Sequence, residues 1–214
     1  MRFARLLAAA FALALIAACA TAPGLPETTY YRLPEPAAVT RLPEPAVDLP
    51  LVVEPFTADG LYSDQALIYT LDADANRLRT YHYQLWIDPP VRLLQRRLIA
   101  ALRASGVSRV VTDRLPAQMQ ALRMNGRIAR LERVRTASGW EVAVTLVLRA
   151  DPSGGGRPWV IGEYHRQFPA AGDSVADSVN AFGAALDAIH AEFIADLVER
   201  AAQDDEPPLA TRPR

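Results

Sequence analysis

One thiol, three imidazoles and a crowd of guanidinium groups are the side chains in this sequence whose placement could carry chemistry. The thiol belongs to Cys19, the chain's single cysteine, so an internal disulfide and a multi-cysteine zinc or iron–sulfur site are excluded. His82, His165 and His190 stand far apart, and none has a partner at the i, i+4 spacing of a zinc helix. His82, between Tyr81 and Tyr83, reads as a surface or packing residue. His190, beside an apolar helical stripe, reads as a hydrogen-bonded residue at the edge of that stripe. Ser153-Gly154-Gly155-Gly156 lacks the Lys-Ser/Thr of a phosphate loop. A Gly-x-Ser-x-Gly elbow is missing, and Asp72 and Asp74 fall in a turn, where Asp serves local hydrogen bonding. No nucleophilic, acid–base or metal-binding set assembles, so the expectation is a protein without catalytic or metal residues.

Lysine is absent, and all 23 cationic side chains are arginine. Arg123, Arg127, Arg130, Arg133 and Arg135 crowd one short segment. Arginine forks bind carboxylate and phosphate well, and regular strand pairing would put the odd-numbered ones on one face. Two readings stand. One is a patch for lipid headgroups or an acidic protein; the plainer one is a solvated strand face offset in part by Glu132 and Glu141. Aromatic residues and arginine are enriched where proteins meet partners. Tyr62, Tyr81 and Tyr83 therefore join Arg123, Arg127 and Arg133 as candidate partner or lipid contacts. A net charge of −1 offers no footprint for nucleic acid.

The surroundings of Cys19 are more specific. Arg2 and Arg5 precede an unbroken apolar run from Leu6 to Ala18. The run is shorter than the roughly 20 residues of a membrane span and has the layout of a secretory leader. Leu15-Ile16-Ala17-Ala18-Cys19 resembles the bacterial lipobox. That resemblance implies cleavage after residue 18, a thioether-linked diacylglycerol on Cys19 and acylation of the new amine. No cofactor is expected beyond this covalent lipid. Each buried methylene contributes about 0.8 kcal/mol, so several chains anchor stably without a transmembrane helix. Ala20, where Asp would signal inner-membrane retention, favours delivery to the outer membrane of a Gram-negative cell with the domain facing the periplasm. Losing residues 1–18 removes Arg2 and Arg5 and moves the charge from −1 to −3.

Residues 19–27 read as a lipidated tether, 28–202 as one domain and 203–214 as a polar, disordered tail. Residues 20–50 hold seven of the 17 prolines, and Arg32-Leu33-Pro34-Glu35-Pro36-Ala37 recurs at Arg41 to Ala46. Such a stretch prefers polyproline II, so 34–50 reads as a surface excursion between a first strand around Thr28–Leu33 and a second from Leu51. Ala66–Leu71 and Leu78–Trp86 read as a hairpin. Asp88 can N-cap a helix whose first turn accepts Pro89-Pro90. Its core stripe is Val91, Leu94, Leu98 and Leu102, and Gly106 is placed to stop it. Val107–Thr112 reads as a short strand. Ala121–Arg135 and Trp140–Ala150 read as an antiparallel pair, followed by a strand at Trp159–Phe168. A helix over 174–202 closes the domain, with Val175, Val179, Phe182, Leu186, Ile189, Phe193 and Leu197 at three- and four-residue steps. These elements predict an α/β (α+β) sandwich: one mostly antiparallel or mixed sheet with two main helices packed on it.

The order of these pieces is similar to that of the ABC-type transport auxiliary lipoproteins, the PqiC-like family. The pieces are the lipobox, Tyr30-Tyr31-Arg32-Leu33, Gly60-Leu61-Tyr62-Ser63-Asp64 before Ile68-Tyr69, Tyr81-His82-Tyr83, and Trp86 before Pro89-Pro90. The resemblance implies a non-catalytic periplasmic lipoprotein on the outer membrane. Its partners would be an inner-membrane ABC permease and ATPase and a periplasmic MCE-domain protein that carries lipid. Some members of the family form rings, which implies a homo-oligomer. The alternative class is a lipid-binding or outer-membrane-assembly lipoprotein of another envelope machine.

Overall fold

The computed structural model describes residues 26–72, 77–116 and 118–204. The leader, Cys19, most of the tether, hairpin-tip residues 73–76 with Asp74, and the tail beyond 204 lie outside the described residues.

The chain runs β1 (Thr29–Tyr31), β2 (Leu51–Val53), β3 (Thr57–Ala58), β4 (Ala66–Thr70), β5 (Arg79–Trp86), α1 (Pro90–Ser105), β6 (Val111–Thr112), β7 (Leu122–Thr136), β8 (Gly139–Pro152), β9 (Val160–Pro169) and α2 (Val175–Asp204). The nine strands form one curled mixed sheet with the helices packed on it, the α+β arrangement expected. β7 is its spine. One edge of β7 pairs with β8 along the whole of both strands. The other edge takes three short parallel strands in turn: β2 at Leu122–Met124, β3 at Arg127–Ile128 and β4 at Arg133–Val134. β6 extends the sheet beyond β2, while β5 and then β1 extend it beyond β4. β9 closes the far side on β8.

Register follows side-chain alternation. Val142, Val144, Leu146, Leu148 and Ala150 of β8 are all fully buried, and α2 covers them. Tyr164 of β9 stacks edge-on against Phe193 of α2, with ring centroids 5.9 Å apart. The predicted stripe of α2 is buried from Val179 to Leu197. The helix opens on a reciprocal cap: Asp177 N–H donates to Ser174 Oγ at 3.1 Å, and Ser174 N–H donates to Asp177 Oδ2 at 3.2 Å. α1 lies near β2 and β6, held by Gln95 Nε2 on the Val53 carbonyl (2.9 Å) and Arg103 on the Val111 carbonyl. Gly106 ends it in the left-handed region, φ 67°, where glycine carries no Cβ penalty.

Three local expectations change. Asp88 does not cap α1; Pro89 holds that position without a side-chain bond, and Asp88 pairs with Arg96 instead. Only Val111–Thr112 of the expected 107–112 strand pairs as a ladder, with Ser108 making an isolated bridge to Val47. The 34–50 excursion is not merely a surface loop. It packs on both helices, and Val47 is buried.

Candidate functional site

The arginine cluster on β7 is divided by a bulge. Ile128 pairs with Leu146, but Arg130 pairs with Thr145, so Ala129 is an extra residue in β7. One extra residue reverses which face each later side chain takes. Before the bulge Leu122, Met124 and Ile128 point into the core; after it Leu131 and Arg133 do. The odd-numbered arginines therefore do not share a face, which corrects that expectation. Arg123 and Arg127 lie on the face away from α2 and are neutralised by Glu54 and Asp59 from the neighbouring segment. Arg130 pairs with Glu132, whose Oε2 also accepts the Tyr62 hydroxyl at 2.9 Å. Burial and this carboxylate hold the Tyr62 phenol well above its ordinary value.

Arg133 is 2% exposed and, among the described residues, no carboxylate pairs with it. Its Nε donates to Ser178 Oγ at 2.7 Å, one Nη donates to the Tyr81 hydroxyl, and the other donates to the Asp173 carbonyl at 2.9 Å. The guanidinium sits 4.0 Å from the Trp140 ring centroid, a cation–π contact. Tyr69 stacks on Tyr81 at 4.4 Å. The group fastens the start of α2 to the sheet. Arg133 and Tyr62 are thus interior, and neither can serve as a surface contact. Tyr81 is half-buried in the same cluster. Tyr83, 37% exposed, is the one of the three tyrosines open to a partner.

A second knot went unseen in the sequence. Arg97 of α1, buried, meets Asp187 of α2 through Nη2 at 2.7 Å and Nε at 3.2 Å, and donates also to the carbonyls of Pro34 and Gly183. Ala37 N–H donates to the other Asp187 oxygen at 2.9 Å. Two helices and the proline-rich segment are thereby joined at one charge pair. A Cβ on Gly183 would collide with the Pro34 ring, so glycine there permits the crossing.

Beyond this knot the segment 36–42 and α2 enclose a groove of about 650 Å³ with mostly apolar walls. His190 lies at it, 1% exposed, and among the described residues neither ring nitrogen has a hydrogen-bond partner. The expected bonded edge histidine is instead an orphaned core histidine. Burial, with Arg97 nearby, lowers its pKa to about 3 and keeps the ring neutral. Among the described residues, no group of three or more His, Cys, Asp or Glu side chains could hold a metal. No helix there is long and apolar enough to cross a membrane.

The domain is thus a curled mixed sheet backed by two helices, with a groove beside α2 and two buried arginine knots. The chain belongs to the family described as ABC-type transport auxiliary lipoprotein component, whose model matches residues 31–195. Among solved structures it is similar to protein XCC0632 from Xanthomonas campestris, of family DUF330. The two are 19% identical with a TM-score of 0.71, over 84% of this chain and 100% of that one. It is also similar to an uncharacterized protein at 16% identity and a TM-score of 0.64, over 80% and 99%. At these identities the likeness concerns the fold. A search of curated proteins finds no match.

Proposed function

We propose that this protein is a lipoprotein anchored by Cys19 to the outer membrane, with its domain in the periplasm. It serves a lipid-transporting ABC system without catalysis, by docking the periplasmic MCE-domain component at that membrane. The observation that carries the reading is the family match across 31–195 behind a leader that ends in Leu15-Ile16-Ala17-Ala18-Cys19. An auxiliary transport component needs a binding domain rather than a reaction centre, and Arg97, Arg133 and Tyr62 serve structural contacts. Exposed Tyr83 and the rims of the β7 face, Arg123 and Arg127, are the contacts this reading assigns. The docked form is a homo-oligomer in the same reading.

The test is crosslinking in intact cells followed by capture of the full chain. Recovery of an MCE-domain protein, weakened by Tyr83→Ala or by Arg123→Glu with Arg127→Glu, supports docking. Recovery of a β-barrel protein in its place would move the chain to another envelope machine. Globomycin should accumulate the uncleaved precursor, and density fractionation should place the mature chain with outer membranes. A chain that fractionates identically after Cys19→Ala and globomycin treatment would sink the anchor.

A further inference from the structure

A hollow at the C-terminal end of α1 gathers positive charge that no acid in its walls answers. Arg41 comes to it from the proline-rich segment, Arg103 from the last turn of α1 and Arg109 from the passage into β6, with Gly106 and Ser108 also in the wall. Its volume of about 430 Å³ lies within the roughly 300–1,000 Å³ of ligand clefts and suits a small organic anion. The second copy of the Arg-Leu-Pro-Glu-Pro-Ala repeat brings Arg41 here. Leu42 N–H donates to the Ser105 carbonyl at 2.8 Å. The Arg41 guanidinium lies over Gly106, where an added Cβ would stand 3.3 Å from Arg41 Cζ. Nine other arginines close on carboxylates. No carboxylate lines this hollow. Glu44 and Asp48 of the same segment are outside its walls, and Asp113 lines a neighbouring hollow with Arg96 and Arg103.

Structural duty accounts for part of this set. Arg103 donates Nε and Nη2 to the Val111 carbonyl at 2.9 and 2.8 Å. Arg41 Nη1 reaches the Arg103 carbonyl only at 3.5 Å. Among the described residues, nothing bonds the Arg109 guanidinium. Each guanidinium offers five N–H donors in a fork that matches phosphate oxygens, so most of the donors here lack an acceptor. Like charges held together in a cleft attract an anion of matching charge. A carboxylate or a phosphodiester brings one negative charge. A phosphomonoester brings nearly two at neutral pH, with three acceptor oxygens. We infer that this hollow binds a phosphomonoester dianion, its oxygens shared by Arg41, Arg103 and Arg109. The site has no residue in common with the docking contacts Tyr83, Arg123 and Arg127, and it does not rest on the docking reading.

The experiment holds the mature full chain in phosphatidylcholine nanodiscs and titrates it with glycerol 3-phosphate by isothermal calorimetry. Binding should be saturable. It should weaken about tenfold from pH 7.5 to pH 5, as the phosphate, with its second pKa near 6, loses a charge. Dimethyl phosphate, a diester, should bind at least five-fold more weakly at pH 7.5 and without that pH dependence. Arg109→Ala should weaken glycerol 3-phosphate at least five-fold while thermal unfolding stays unchanged, and Arg41→Gln should do the same. Arg79→Ala, at an exposed arginine of β5, should leave binding as it is. Adding phosphatidic acid to the nanodisc separates the sources of such a group. Loss of glycerol 3-phosphate binding there assigns the site to a lipid headgroup, and unchanged binding assigns it to a soluble phosphomonoester. Four results overturn the proposal: no saturable binding by the parent, equal affinity for the diester, an affinity level from pH 7.5 to pH 5, or full binding by folded Arg109→Ala and Arg41→Gln. All four leave the MCE docking test standing.

Discussion

Replacing His190 with leucine tests the interior of the domain most directly. The two side chains are similar in bulk, and leucine removes two buried nitrogens that have no partner. An unsatisfied buried polar group costs about 1–3 kcal/mol, so His190→Leu should be more stable than the parent by about that amount at pH 7.5. The pH dependence sharpens the expectation. The folded pKa is depressed to about 3 from 6.5. The unfolded chain takes up a proton below pH 6.5 while the native chain does not, so the parent loses stability as pH falls from 6.5 toward 3. The loss is tenfold in the folding constant per pH unit, or about 3 kcal/mol at pH 4.5. Arg97, the charged group that acts on His190, is present in both proteins and largely cancels in the difference. Urea denaturation of parent and variant from pH 7.5 to 4.5 should show a gap that is level above pH 6.5 and widens below it. A gap that stays constant to pH 4.5, or a less stable variant, would refute the reasoning.

Other expectations follow from the knots. Asp187→Ala leaves Arg97 buried without its carboxylate and should cost about 3–5 kcal/mol, with faster proteolysis within 34–45 as the independent sign. Arg133→Ala strands the Tyr81 hydroxyl, Ser178 and the first carbonyls of α2 and should cost about 3 kcal/mol in urea denaturation. Arg133→Lys should not restore it, because an ammonium cannot reproduce the fork. Gly126→Ala drives a methyl into the Phe56 ring and should cost about 1–3 kcal/mol. Combining it with Phe56→Leu should return part of that loss, which a double-mutant cycle reads directly.

What could be read in advance was whatever repeats locally. The stripe of α2 rests on the 3.6-residue period, and the β4–β5 and β7–β8 hairpins rest on alternation broken by turn residues. Each is set within its own stretch of chain. The arginines of β7 misled because one unpaired residue, Ala129, inverts the parity of the strand, and no residue type announces a bulge. Arg97 sat among Arg92, Arg96 and Arg103 with nothing local to separate it. Only the approach of Asp187, ninety positions away, makes it interior. His190 escaped for the converse reason: its neighbours suggested an edge, whereas the packed fold leaves it 1% exposed. The parallel docking of β2, β3 and β4 along one edge of β7 is likewise a long-range event that local periodicity does not encode.

The Arg97 knot also has a mechanical meaning. A pull on the chain at Pro26 loads β1 first, and β1 holds β5 through only three residue pairs. Once those ladder bonds shear, the tension reaches Pro34, whose carbonyl is held by Arg97, and then Ala37 on Asp187. The core strand β2 begins fourteen residues beyond Ala37, at Leu51. Tugging on the N-terminal side would thus be taken up by a yielding edge strand and then by one ion pair, like slack in a line taken up at a cleat, before the core strand β2 feels any force.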